Sequence, residues 1–383
     1  MEEIYLDNSA TTRCLPRAAE EVKNALLKSY GNPSSLHQQG VKADELVKSC
    51  RRQAAEVTAA LPEQIIFTSG GTEANNMAIM GAAARNNHRG RHIISTEIEH
   101  PSVYRPLQHL SRQGFEVSFV SPRDDGTIAP QSIKEALRPN TILASIMAVN
   151  NETGAIQPLK KIGKVIKEQT NAPLLHVDAV QALGKIGCSP DLWQADLASF
   201  SGHKIHAPKG IGFLYINDSG IIEPLLRGGD QENGLRSGTE NVPGIAGLGV
   251  ALKELPLLNS GEKNDRLQEL REYFLQKLRK KLPSARINSP PAEWAAPHLI
   301  NFSLPGVKGE VMVNALSHRD IYISTGSACH SHRNENSRIL EAINLSPELL
   351  EGALRISLGR FNCKKEIDRF MAVCAEERDF LLK

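Results

Sequence analysis

"DLASFSGHKIHAPKGIGFLYI", Asp196 to Ile216, holds two apolar runs separated by a polar loop that carries two histidines and two lysines. Short apolar runs bounded by Ser and Gly predict buried strands on either side of that loop. The same kind of run recurs upstream as "QIIFTS", "RHIIST", "EVSFVS", "TILASIMAV" and "PLLHVDA". Between them, "EANNMAIMGAAARNN" and "PLKKIGKVIKEQT" space their apolar residues as helices do. This alternation, from about residue 60 to about 250, predicts βα units and a mostly parallel sheet. Further on, "EKNDRLQELREYFLQKLRKKL" reads as a long amphipathic helix, followed by strands at "HLINFSL" and "DIYIST", so a second, smaller α+β unit is expected there.

With 383 residues the chain exceeds one simple core, which points to two domains or to one large α/β domain with an appendage. A net charge of +2 gives no overall field to draw nucleic acid or an anionic membrane, so neither is expected as a direct partner. The stretch "MEEIYLDNSA" lacks a signal pattern and no apolar run is long enough to span a bilayer. A soluble, cytoplasmic protein is expected. The six cysteines, Cys14, Cys50, Cys188, Cys329, Cys363 and Cys374, form no CxxC pair and no zinc-like spacing. Neither a metal site nor disulfides are therefore expected.

Ligands of parallel sheets bind beyond the carboxyl ends of the strands. Asp178 stands where "LLHVDAVQALGK" should leave its strand, with Gln181 three residues on, and Lys204 follows the next strand. Asp178 suits a helix cap, and Asp178 with Lys204 suits an ion pair. The same two residues also suit pyridoxal phosphate, which needs a lysine imine and an acidic partner on its ring nitrogen. A lysine with a pKa lowered by desolvation and cationic neighbours would be nucleophilic enough to form that imine. In "FTSGGTEANN" a strand end, the Gly70–Gly71 turn and Thr72 precede a helix, which is either ordinary helix-start chemistry or a phosphate cradle. Ser201 and His203 stand beside Lys204 as further donors. His100, after another strand, is a satisfied histidine or a ring lying over the cofactor. Asn150 and Asn151 form a turn or face the site. Arg355 in "RISLGRF" is a surface ion-pair partner or, with its bidentate guanidinium, the receiver of a substrate carboxylate.

Taken together, "YLDNSATT", "YGNPSSLH", "IIFTSGGTEANN", "EHPSV", "NNETGAIQP", "HVDAVQALGK", "SGHKIHAPKGIGFLY", "LRSGTEN", "GSACHS" and "RISLGRF" resemble, in order and over essentially the whole chain, the IscS/NifS-type cysteine desulfurases. These belong to the class V aminotransferase branch of fold-type I pyridoxal-phosphate enzymes. The resemblance implies a large domain with a mixed, mostly parallel seven-stranded sheet, over residues 15–257, and a smaller α+β domain from residues 1–14 and 258–383. It implies Lys204 as the internal aldimine, Asp178 on the pyridinium, Gln181 on the phenolic oxygen and His100 stacked on the ring. Gly71, Thr72, Ser201 and His203 would hold the phosphate, and Thr239 would reach it across a homodimer interface. Asn151 and Arg355 would receive the carboxylate of L-cysteine, with His206 and Lys209 positional.

Cys329 lies in "STGSACHSHRNENSR", a polar, Gly- and Ser-rich stretch with the composition of a mobile loop, which suits an accessible thiolate. The resemblance implies that Cys329 takes the substrate sulfur as a persulfide, leaves L-alanine, and passes the sulfur to an acceptor serving iron–sulfur cluster assembly or tRNA thiolation. Where assembly-type members commonly carry Thr or Ser after the cysteine, this chain has His330, and "ACHS" also occurs in selenocysteine lyases. Selenocysteine lyase is therefore the alternative, ahead of a class V aminotransferase or a catalytically silent scaffold.

Overall fold

Period-two alternation along the strands sorts their side chains onto two apolar cores. In a computed structural model, which describes residues 3–259, 261–325 and 337–382, the strands are β1 (Ile4–Tyr5), β2 (Ile65–Thr68), β3 (His92–Thr96), β4 (Glu116–Val120) and β5 (Thr141–Met147). They continue as β6 (Leu174–Asp178), β7 (Leu197–Ser201), β8 (Gly212–Ile216), β9 (Arg286–Ile287) and β10 (Leu299–Ser303). The last are β11 (Ile321–Tyr322), β12 (Ser324–Thr325) and β13 (Ala353–Ser357). Seven of them form one sheet in the order β2-β8-β7-β6-β5-β3-β4. Its pairs are parallel except where β8 runs against β2 and β7. Ile65, Phe67, Leu175, Val177, Ala198 and Phe200 face one core with the helices Pro16–Lys28, Gln38–Thr58 and Val242–Lys253. Their neighbours Ile66, Leu174 and Leu197 face the other, against the helices Gly71–Asn86 and Pro101–Arg112. Both faces are covered, as a parallel sheet requires.

A separate four-stranded sheet, β12-β13-β10-β9, has its own apolar cluster around Phe274, Phe302 and Phe370. The helix Asp265–Lys281 lies where the charged amphipathic stretch predicts it, its N-terminus capped by Asn264. The first strand β1 pairs in parallel with β11, so the chain's start joins elements more than 300 residues away, and residues 7–12 then cross to the large sheet. Because β2, β5, β6 and β7 run in one direction, Thr68, Met147, Asp178 and Ser201 all lie at one edge of the large sheet.

Candidate active site

A cavity of about 380 Å³ opens at that edge. Its walls include Lys204, Asp178, Gln181 and His100, together with Gly71, Thr72, Ser201 and His203. Asn151 and Arg355 complete it from the far side, next to Ser9 and Ala10 of the N-terminal segment. Ten of the twelve residues expected from the sequence are thus brought to one space. Thr239 is not among them: it is exposed and lines a separate hollow with Ser69, Arg236 and Gly238. Cys329 lies outside the described residues.

Asp178 ends β6 and is buried, at 5 % exposure. Its Oδ1 accepts from the Val180 N–H at 3.0 Å and its Oδ2 from the Asn75 side-chain amide at 2.9 Å. The first contact closes a local turn; the next helix after Asp178 begins only at Pro190, so Asp178 does not cap a helix as the plainer reading expected. The second is long-range and continues, since Asn75 also donates to Ser102 Oγ at 2.8 Å, and Ser102 Oγ lies 2.7 Å from His100 Nδ1. A polar chain therefore joins Asp178 to the histidine that starts the helix Pro101–Arg112. Burial lowers the His100 pKa, opposed by the Asp178 charge. Below Asp178, on the same strand, fully buried His176 bridges Ser145 Oγ and Ser199 Oγ at 2.8 and 3.0 Å. Burial drives its pKa to about 3, so it is a neutral rung across β5, β6 and β7.

Lys204 closes a single 3-10 turn, Gly202–Lys204, immediately after β7. Its Nζ donates to the carbonyls of Ser9 and Ala10, the latter at 2.8 Å. Its own carbonyl accepts from the buried Lys185 Nζ at 3.1 Å, and burial brings the Lys185 pKa down to about 8. His203 Nδ1 lies 3.2 Å from Thr11 Oγ1, and burial, with Lys204 and Lys209 adding to it, pushes its pKa to about 4. Gln181 donates to the Ser9 carbonyl at 3.0 Å. His206, expected to be positional, lies 2.8 Å through Nδ1 from the Arg13 carbonyl.

The glycine turn is shaped by contact rather than by flexibility alone. Gly70 takes φ 152° and ψ −177°, open to glycine and rarely to others. A Cβ on Gly71 would come within 2.6 Å of Val180 Cγ2 and 3.5 Å of Ser201 Cβ. The helix that begins there has no side-chain cap, so its first N–H groups suit an anion.

Arg355, in β13, is 3 % exposed. Nη2 donates to Asp7 Oδ1 at 3.0 Å and Nη1 to the Asn151 carbonyl at 3.1 Å, while Nε is buried without a partner. The guanidinium is thus paired to an acid, but it is buried, not at the surface as the plainer reading had it, and it keeps an N–H unused. Burial raises the Asp7 pKa, with Arg355 pulling the other way. Asn151 Oδ1 and Ser9 Oγ are likewise buried and unpartnered at this cavity.

Asn75, Ser102, Asp7, the carbonyls of Ser9 and Ala10, and Glu152 escaped individual assignment from the sequence. Asn75 carried a usable signal, being an amide four residues after Gly71 on a helix face turned to the sheet. The carbonyls carried none. Glu152 is buried, accepts from Ser337 Oγ at 2.5 Å, and burial raises its pKa to about 7.

The description "Aminotransferase class-V" matches residues 4–370 of the chain. A cysteine desulfurase IscS of Dictyoglomus turgidum is 41 % identical over 366 residues, covering 96 % of this chain and 92 % of the relative. One from Methanosarcina thermophila is 41 % identical over 373 residues, 97 % of this chain and 91 % of its own. Among solved structures, a NifS-like protein superposes with a TM-score of 0.90 at 36 % identity, over 99 % of this chain and all of that one. SspA in complex with cysteine superposes at 0.81 and 35 % identity, over 94 % of this chain and all of that one.

Proposed function

The chain belongs to the class V aminotransferase family and is a pyridoxal-phosphate-dependent cysteine desulfurase, and we propose that the cavity between Lys204, Asp178 and Arg355 is where it takes sulfur from L-cysteine. The observation that carries this reading is the convergence of ten residues, from segments some 280 residues apart, on one cavity. The donor set fits the cofactor. A carboxylate held by Asn75 and a backbone N–H suits the ring nitrogen, the helix start at Gly71, without a side-chain cap, suits the phosphate, and the unpartnered Arg355 Nε–H suits an α-carboxylate.

When bound, the cofactor supplies an electron sink for chemistry at the substrate's carbons. Lys204 would hold it covalently, Asp178 would keep its ring nitrogen protonated, Gln181 would donate to its phenolic oxygen and His100 would lie against its ring. Gly71, Thr72, Ser201 and His203, which line the same cavity, would hold the phosphate. Thr239 lies outside the cavity of its own chain, which supports a homodimer in which it serves the partner's site. Arg355, oriented by Asp7, and Asn151 receive the substrate carboxylate. The Cys329 thiolate attacks the substrate sulfur; the sulfur–sulfur bond forms as the carbon–sulfur bond breaks. The carbon keeps that electron pair, takes a proton, and L-alanine leaves. The persulfide then passes to an iron–sulfur assembly scaffold or a tRNA-thiolation enzyme in the cytoplasm. No described helix is long and apolar enough to cross a membrane.

Cys329→Ser tests the reading. A serine hydroxyl is not ionised near neutrality and cannot replace the thiolate. The variant should keep the cofactor's absorbance band and its shift on adding cysteine, while losing alanine formation and the mass gain of one sulfur. Cysteine turnover that survives would refute Cys329 as acceptor. Selenocysteine turnover that alone survives matches selenium's readier release, leaves the desulfurase mechanism for cysteine standing and does not choose between the two substrates.

A further inference from the structure

His298 is 1 % exposed and belongs to no motif in the sequence. It sits immediately before β10, and its carbonyl accepts from the Leu358 N–H at 2.7 Å, just past the strand that carries Arg355. Its Nε2 lies 3.3 Å from Gln181 Oε1, and its Nδ1 has no partner. The proton positions along this chain follow from donor and acceptor type alone. The Ser9 carbonyl only accepts, so the Gln181 atom 3.0 Å from it is the amide nitrogen. Gln181 Oε1 therefore faces His298, and the ring nitrogen opposite must carry a hydrogen. Burial, together with the charges of Lys185, Lys204 and Arg355, keeps the imidazole neutral. The single hydrogen is accordingly on Nε2, and Nδ1 is the buried lone pair.

We propose that His298 is the positioning residue for Gln181. By donating to Oε1 it locks the amide in the one orientation that puts nitrogen toward the N-terminal segment and leaves a second N–H for the cofactor's phenolic oxygen. Without that donor only the Ser9 carbonyl opposes a half-turn of the amide, which would present Oε1 to acceptors. The contact crosses from the small sheet to the large one, so it also ties the strand bearing Arg355 to the residue contacting the cofactor.

This rests on the reading of Gln181 given above, and the test separates the two. Gln181→Leu, His298→Leu, His298→Gln and the Gln181→Leu/His298→Leu double variant are prepared as holoenzymes. The cofactor's absorbance maximum and its dissociation constant are measured for each, with thermal midpoints to verify folding. Gln181→Leu should shift the band and raise the dissociation constant about three- to tenfold, the worth of one hydrogen bond. His298→Leu should shift the band in the same direction and weaken binding by a similar factor. The double variant should add nothing, and His298→Gln, which retains an N–H donor, should return both readouts toward the parent. His298→Met carries the same test if the Leu variant is insoluble. If Gln181→Leu moves both readouts and the His298 variants move neither, or if the effects add in the double variant, His298 does not act through Gln181. If Gln181→Leu itself moves neither, the reading of Gln181 falls and this inference with it.

Discussion

Arg355→Lys keeps the charge and removes the fork. In the parent the guanidinium spans Asp7 Oδ1 at 3.0 Å and the Asn151 carbonyl at 3.1 Å, with Nε left over in a buried position. A single ammonium cannot meet Asp7, Asn151 and a substrate carboxylate in the same planar arrangement. Asp7 is fixed in the protein and closest in charge, so it should claim the ammonium, and the substrate carboxylate should lose its charge-assisted hydrogen bond. Such a bond is worth about 1.5–3 kcal/mol, or roughly 10- to 150-fold in affinity. The expected result is a KM for cysteine raised by that factor with a smaller fall in kcat. The measurement is alanine formation against cysteine concentration, paired with a titration of the cysteine-induced shift in the cofactor band, which reads binding without turnover. The thermal midpoint of the variant controls for the lost Asn151 contact. An unchanged half-saturation in both assays, with only the thermal midpoint lowered, would refute the reasoning and leave Arg355 as a tie between β13 and residues 7–12.

Lys204→Ala should lose the cofactor's characteristic band and all cysteine turnover while keeping the fold, because it removes a covalent partner rather than core volume; appreciable residual turnover would contradict the assignment. Glu99 is fully buried, with Oε1 accepting from Thr96 Oγ1 and the Met147 N–H, and burial raises its pKa from 4.5 to about 8. A folded pKa above the unfolded one gives stability that is fully present below 4.5 and lost as pH rises through 8. Denaturant unfolding across that window should therefore show the parent losing stability relative to Glu99→Gln, whereas parallel curves would mean that Glu99 is ionised in the fold. The depressed pKa of His203, about 4, acts in the opposite sense, present above 6.5 and lost as pH falls through 4, and cancels in this comparison.

Much of this site follows from local pattern. Apolar alternation at "PLLHVDA" and "DLASFS" fixes which strand faces are buried, and parallel strands place their carboxyl ends in one row, so Asp178, Ser201 and Lys204 were adjacent before any contact was known. The Gly70–Gly71 turn was equally legible, because glycine at a strand-to-helix junction has a local steric meaning. The partners of these groups were not. Lys204 meets Ser9 and Ala10 across 195 and 194 residues, Arg355 meets Asp7 across 348, and His298 meets Gln181 across 117. Nor did the apolar run of β8 announce that it would lie antiparallel between two strands of the opposite direction. Periodicity in one dimension states which side of an element is dry; it carries nothing about which distant element covers it. A backbone carbonyl, the same at every residue, leaves no mark in the sequence at all. The acceptors of Gln181, Lys204 and Arg355 come from the tertiary path of residues 7–12, which follow β1 from its pairing with β11 over the edge of the large sheet, where the buried amide, the lysine and the guanidinium meet them.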